Sequence, residues 1–291
     1  EWKKVLESVG TAPFWVTLSG GEPFLRKDFV RIVRLVSVYN KPRILNIATN
    51  GILTDKIISD VKKILKFYKN KLIINISLDG TGKEHNRIRG VENNFKKTMD
   101  TFSKLKSLKK YYKNLRVGLH TVISKYNVKE IPKIFEYVQG LKTDSFLTEI
   151  AENRKELENL GESISPKVED YFDAVDFLLK EQKDKSLINV LRKKYYKLTK
   201  KVLKEKKETI RCYAGLASAH ISSEGKLWAC CMYCKELGDL KKHRFNEVWN
   251  SGEANKVRED IKKNRCFCTL ANVAYSNMLC SPVSSLFKIH D

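Results

Sequence analysis

Seven cysteines stand in the chain, at positions 212, 230, 231, 234, 266, 268 and 280, and none precedes Cys212. An odd number gathered at one end of 291 residues does not make a disulfide framework. Thiolates are soft ligands, suited to zinc or to iron–sulfur clusters. The spacing Cys231-x-x-Cys234 with Cys266-x-Cys268 fits a structural zinc site, and spacing alone leans that way. A second constellation is Ser19-Gly20-Gly21-Glu22-Pro23. Two glycines let a backbone approach a ligand closely. Glu22 offers a carboxylate for a cation such as an ammonium, and Pro23 fixes the turn.

These residues need elements to hold them. Apolar, β-rich runs recur at Phe14–Leu18, Ile44–Ala48, Leu72–Leu78, Leu115–Ile123 and Ser145–Ile150. Amphipathic stretches lie between them, at Asp28–Tyr39, Asp55–Tyr68, Asn94–Lys113 and Lys129–Gln139. Alternation of this kind predicts βα units around a parallel sheet, and a doubly wound sheet and a barrel fit equally well. Polar residues close the strands: Gly20 to Pro23, Thr49-Asn50-Gly51, Ser77 with Asp79 and Gly80, and Glu149, Glu152 and Arg154. The C-terminal strand ends of parallel α/β proteins line their ligand sites. Turn chemistry accounts for any one of these ends; four together favour a site.

Beyond the strands, Val168–Leu179 and a very basic stretch, Leu187–Lys207, read as helices. Composition then shifts to cysteine and glycine, which sets a boundary near residue 208. The five histidines, at 85, 120, 220, 243 and 290, are scattered and read as structural or surface residues. The chain opens on Glu1, and Trp2, Val5, Leu6 and Val9 fall at helical spacing, so it reads as a fragment beginning inside a helix.

Composition bounds the class. With 42% hydrophobic residues and 10% aromatics the chain is not disordered, and it is long enough to bury a large core. No apolar run is long enough to span a membrane, and no secretory segment opens the chain, so the cytoplasm is expected. Lys and Arg number 56 against 34 Asp and Glu, a net charge of +22. That balance favours acidic partners, nucleic acid included, although a solvated basic surface explains it too.

The segment Leu18-Ser19-Gly20-Gly21-Glu22-Pro23-Phe24-Leu25-Arg26 resembles the GGEP motif of radical S-adenosylmethionine enzymes. Ala48-Thr49-Asn50-Gly51 resembles their next strand end. Ile76-Ser77-Leu78-Asp79-Gly80 with His85-Asn86-Arg87-Ile88-Arg89-Gly90 resembles a later segment, with Asn86 where an aspartate is usual. Cys212, Gly225 and Cys230, then Gly238-Asp239-Leu240, Phe245 to Trp249 and Cys266-Phe267-Cys268, resemble a shortened SPASM or twitch extension.

The resemblance implies an α/β fold, a partial (β/α)6 TIM-like barrel over 1–160. It also implies a helical connection over 161–208 and a cysteine-rich domain over 209–291. It implies one auxiliary 4Fe-4S cluster on Cys212, Cys230, Cys266 and Cys268, with Cys231, Cys234 and Cys280 left over. S-adenosylmethionine would meet Gly20, Gly21, Glu22 and Pro23, with Asn50, Ser77, Asp79 and Arg154 nearby. The implied activity is reductive cleavage of S-adenosylmethionine to a 5′-deoxyadenosyl radical that takes hydrogen from a substrate, a peptide or protein rather than RNA. A reductant such as flavodoxin or ferredoxin is implied as partner. The family's catalytic cluster uses C-x-x-x-C-x-x-C ahead of GGEP, so that motif is expected upstream of Glu1, in the complete protein. The competing readings are a zinc-containing, basic nucleic-acid-binding module without catalysis, and an ordinary α/β enzyme using Glu22 and Asp79 as paired carboxylates.

Overall fold

The computed structural model describes residues 1–281 apart from 155–156, 158, 184–185 and 264–265. His290 lies outside the described residues. The chain divides into two compact units, Glu1–Val122 with Lys133–Thr148, and Ile123–Pro132 with Glu149–Asp291.

The first unit opens with helix α1 (Trp2–Val9), which buries Val5 and Leu6. Asn40 pins it by donating to the carbonyls of Leu6 and Gly10 at 2.9 and 2.8 Å. Five strands follow, β1 (Trp15–Leu18), β2 (Ile44–Thr49), β3 (Lys71–Ser77), β4 (Leu115–Ile123) and β5 (Ser145–Ile150), and they form one sheet in chain order. The first four pair parallel, with Thr17 beside Asn46, Ala48 beside Asn75 and Ser77 beside His120. The order shows none of the reversal that marks a doubly wound sheet. The sheet is the open, partial β/α barrel, with five strands among the described residues where a (β/α)6 sheet has six.

Between the strands run α2 (Phe29–Leu35), α3 (Thr54–Phe67), α4 (Lys83–Arg89), α5 (Asn94–Leu108) and α6 (Ile131–Leu141). Helix α3 shows why. Its buried Ile57, Val61, Ile64 and Leu65 recur at i, i+4, i+7 and i+8, one apolar stripe facing the core. Asp55 in its first turn and Lys66 in its last oppose the helix dipole with the right signs. Leu72, Ile74 and Ile76 of β3 are fully buried, while the alternate Ile73, Asn75 and Ser77 are half-buried on the other face. Gly118 makes room on that face, because a Cβ there would sit 2.2 Å from Asn75 Oδ1 and 2.4 Å from Ser145 Oγ.

Two expected helices end early. The stretch read as Asp28–Tyr39 is α2 followed by a π turn over Val36–Asn40, closed by Lys41 in the left-handed region. The stretch read as Asn94–Lys113 stops at Leu108. Helix α4, seven residues bounded by Gly82 and Gly90, is too short and polar to announce itself as periodicity.

The second unit holds α7 (Val168–Glu181) and α8 (Leu187–Glu205), then an antiparallel sheet of β6 (His220–Ile221), β7 (Lys226–Trp228) and β8 (Glu236–Asp239). Helices α9 (Phe245–Trp249), α10 (Gly252–Lys262) and α11 (Ala271–Cys280) complete it. Its interior is aromatic: Tyr171, Tyr195 and Tyr196 are fully buried. No described helix is long and apolar enough to cross a membrane.

Candidate functional site

The turn after β1 brings several sequence-predicted residues together. Gly20 has φ +147°, and a Cβ built on Gly20 or Gly21 meets nothing within 4 Å. Both glycines are exposed, so their backbone is open to a ligand. Pro23 starts a 3-10 turn over Pro23–Leu25 that buries Phe24. Glu22 precedes it and accepts the Phe24 N–H at 3.1 Å. Its carboxylate also accepts the Thr49 hydroxyl at 2.9 Å and the Asn50 N–H at 2.7 Å. Glu22 thus bridges the ends of β1 and β2. Three donors fill three of roughly four acceptor positions on a carboxylate, which leaves one for a ligand cation.

Thr49, which the sequence offers as part of a polar strand end with no role of its own, is the pin of this bridge. Its hydroxyl also accepts the Gly51 N–H at 3.1 Å. Gly51 sits at φ +77°, and a Cβ there would lie 2.9 Å from Ile76 Cγ2. Helix α5 holds the same loop: Thr98 donates to the Asn50 carbonyl at 3.0 Å and Thr101 to the Gly51 carbonyl at 2.6 Å.

Ser77 closes β3, half-buried beside His120 of β4. Asp79 is occupied otherwise. Its carboxylate pairs with Arg89 at 2.6 Å and accepts the Val122 N–H at 2.9 Å. The Asp79 N–H donates to His85 Nδ1 at 3.1 Å, and the other ring nitrogen of His85 lies 3.3 Å from Asn94 Oδ1. These bonds fix the neutral ring with its proton on Nε2. Burial lowers the His85 pKa. The histidine and arginine of this segment therefore build the turn, and Asp79 serves them rather than standing free as one of two paired carboxylates.

The cysteines lie in the second unit. Burial, then the Cys212 and Cys230 sulfurs, push the Cys266 thiol up to about 11. Burial, then Glu152, Cys230 and Cys212, hold the Cys268 thiol well above its ordinary value. Burial raises Cys230, and Cys212 and Cys234 add to it. Cys212 and Cys230 are thus each within electrostatic reach of Cys266 and of Cys268, and Cys230 is also within reach of Cys212 and Cys234. Their loops are tied down: the Tyr213 N–H donates to Asn277 Oδ1 at 2.7 Å, and the Tyr233 N–H points at Cys230 Sγ, 3.2 Å away. Cys234, at φ +51°, turns its thiol to the Cys231 carbonyl, and Cys280 is exposed at the end of α11.

Among the described residues no three His, Cys, Asp or Glu side chains close around a single ion. Zinc would bring its sulfurs within about 2.3 Å of one point. A 4Fe-4S cube is bonded at four corners, so it takes four thiolates grouped more widely. Cys230, buried, and the half-buried Cys212, Cys266 and Cys268 offer four thiols for such a cube. The pairing expected for zinc, Cys231 and Cys234 with Cys266 and Cys268, is not assembled.

Glu149, near the end of β5, and Glu152 and Arg154, just beyond it, belong to the second unit. Arg154 lies 3.9 Å from Glu149 and 3.8 Å from Glu152, an ion-pair bridge. Glu152 accepts both the N–H and the hydroxyl of Thr269, at 2.9 and 2.5 Å. Burial raises the Glu152 pKa, against the Thr269 bonds and Arg154.

Residues 14–138 match the family model described as Radical SAM superfamily, and residues 212–269 match the SPASM iron-sulfur cluster-binding domain. The chain is 25% identical to the AdoMet-dependent heme synthase of Methanosarcina barkeri, over 86% of this chain and 72% of that protein. It is 24% identical to a cysteine-type anaerobic sulfatase-maturating enzyme of Clostridium novyi, over 85% of this chain and 68% of that one. The solved structure of native anSMEcpe with bound AdoMet and a Kp18Cys peptide superposes with a TM-score of 0.57 at 19% identity, over 89% of this chain and 74% of that one. With the two domain matches in chain order on this fold, the chain belongs to the radical S-adenosylmethionine superfamily of iron–sulfur enzymes and carries a SPASM domain.

Proposed function

We propose that the first unit binds S-adenosylmethionine at the Gly20–Pro23 turn and that the protein modifies a peptide or protein substrate. The observation that carries this is Glu22. Its carboxylate is fixed between two strand ends, beside two unhindered glycines, with one acceptor position left. The Gly20 and Gly21 backbone and the Glu22 carboxylate would hold the amino group of the ligand. Asn50, whose N–H is already on Glu22, orders the neighbouring loop. Ser77 would offer a hydroxyl from the next strand end. Arg154 is assigned to the ligand's surroundings on the resemblance alone.

In this reading residues 1–160 supply the cofactor-binding part, 161–208 a helical connection, and 209–291 the cluster-binding domain. Cys212, Cys230, Cys266 and Cys268 would hold the auxiliary 4Fe-4S cluster. In the complete protein, with S-adenosylmethionine and a reduced catalytic cluster bound, the chemistry supplied would be reductive cleavage to a radical that abstracts hydrogen from substrate. This chain's share is to orient the ligand's amino and carboxyl ends and to keep water away from the reacting atoms. The electron would come from a small donor protein of the flavodoxin or ferredoxin kind, and the basic surface suits acidic partners. The peptide assignment is supported by the sulfatase-maturating relative and by the peptide-bound neighbour.

Two measurements test the reading. Loaded without oxygen, the chain should carry about four iron and four sulfide, as one cysteine-ligated cube requires. Cys212→Ser or Cys268→Ser should abolish that content and Cys280→Ser should keep it. S-adenosylmethionine binding by calorimetry should weaken at least tenfold in Glu22→Gln. Zinc in place of iron and sulfide, or unchanged binding in Glu22→Gln, would refute it.

A further inference from the structure

The loop that carries Cys266 and Cys268 is held from the end of β5. Thr269 follows Cys268, and all three of its hydrogen-bonding groups are engaged. Its N–H and hydroxyl both go to Glu152 Oε1, at 2.9 and 2.5 Å, and its carbonyl accepts the Tyr195 hydroxyl at 3.0 Å. Glu152 and Thr269 are 117 residues apart in sequence, and both sit out of solvent, with Thr269 5% exposed and the Glu152 side chain 12% exposed. Breaking such buried bonds is costly, so the residue after Cys268 is locked in orientation. Burial raises the Glu152 pKa, and the two Thr269 bonds and the Arg154 Nε, 3.8 Å from its second oxygen, oppose that and favour the carboxylate. Through Thr269 the Glu152 carboxylate is held one residue from Cys268, and after burial it is the main influence that raises that thiol.

We infer that Glu152 is a positioning residue for the SPASM-domain cluster, anchoring the Cys268 loop through Thr269 and placing a fixed negative charge beside the Cys268 sulfur that lowers the cluster's reduction potential. The inference rests on the reading that Cys268 is a cluster ligand. Reduction adds an electron, and a buried anion nearby opposes it strongly because the local dielectric is low. Outer carboxylates that orient metal ligands act in the same two ways, on geometry and on electronics.

The test uses the 291-residue chain loaded with iron and sulfide without oxygen. No cysteine precedes Cys212, so any cluster signal comes from the C-terminal cysteines. Dithionite titration followed by electron paramagnetic resonance gives the midpoint potential, and iron release to a chelator gives the anchoring. Glu152→Gln keeps an acceptor oxygen for Thr269 and removes the charge. It should retain about four irons, as a single cube requires, and move the midpoint to a more positive value. Thr269→Val keeps the charge and removes one bond, so it should leave the midpoint in place and release iron several-fold faster. Glu152→Ala should show both effects. An unchanged midpoint in Glu152→Gln, or unchanged release in both other variants, overturns the inference. A wild-type chain that takes up no iron overturns the cluster reading itself, and the inference with it.

Discussion

Glu22 and His85 show two polar residues of the superfamily's motifs put to different uses. Glu22 keeps part of its acceptor capacity while its other bonds fix its place. His85 spends its ring entirely on the turn that holds Asp79. Because burial lowers the His85 pKa, the unfolded chain binds this proton more readily than the folded one. Its contribution to stability is therefore complete above the ordinary histidine value of 6.5 and is lost as pH falls below it. Denaturation midpoints taken between pH 7.5 and pH 5.5 should fall in the wild type, and His85→Asn, which can still accept the Asp79 N–H, should flatten that fall. Gly51 makes a second prediction at this scale. A Cβ there meets Ile76 at 2.9 Å on a backbone of positive φ. Gly51→Ala should cost more than about 1 kcal/mol, read by chemical denaturation.

At the scale of elements, strands were the most legible part of the sequence. The expected bounds of β4 and β5 coincide with the structure, since runs such as Leu115–Ile123 put apolar residues on both faces, as buried parallel strands require. Helix ends were less legible, because what stops α2 and α5 is local backbone geometry and not a change of periodicity. The site was legible where it is a motif, at Gly20 to Pro23, and hidden where it is a long-range bond. Nothing in sequence ties Thr49 to Glu22 or Thr269 to Glu152. The α5 contribution is of that hidden kind, and it can be measured. Replacing Thr98 and Thr101 together by valine removes two bonds to the Asn50 and Gly51 carbonyls. Each such bond is worth about 1 kcal/mol, so amide exchange at this loop should speed up by one to two orders of magnitude. Unchanged exchange would mean that Glu22 and Thr49 hold the loop unaided.

For the whole molecule, the cysteine distribution separates two chemistries by unit. The first unit's residues, Glu1–Val122 and Lys133–Thr148, contain no thiol, so every cysteine-borne group belongs to the second. Alkylation with a mass readout should therefore label only peptides beyond residue 211, and loading with iron and sulfide should protect Cys212, Cys230, Cys266 and Cys268 while leaving the exposed Cys280 reactive. Labelling of Cys268 as fast in the loaded chain as in the empty one would count against it as a ligand. The +22 charge is a property of the whole surface and was read as such. It bears on association and its salt dependence, not on the fold.

The path of the chain between the units has a consequence for synthesis. Residues 123–132 belong to the second unit but are made before β5, which begins in the first. Within the second unit they are fastened to residues made later: Ile123 accepts the Ala151 N–H at 2.8 Å, and Lys125 donates to Ile164 at 3.0 Å. On the ribosome the first unit has all its residues once Thr148 has emerged, while this ten-residue segment must wait, unpaired, for partners still to be translated. A single cut cannot separate the units, and a nascent chain arrested with Thr148 outside the ribosome and Ile164 still inside should show the first unit protected from protease while the Ile123–Pro132 segment is cleaved.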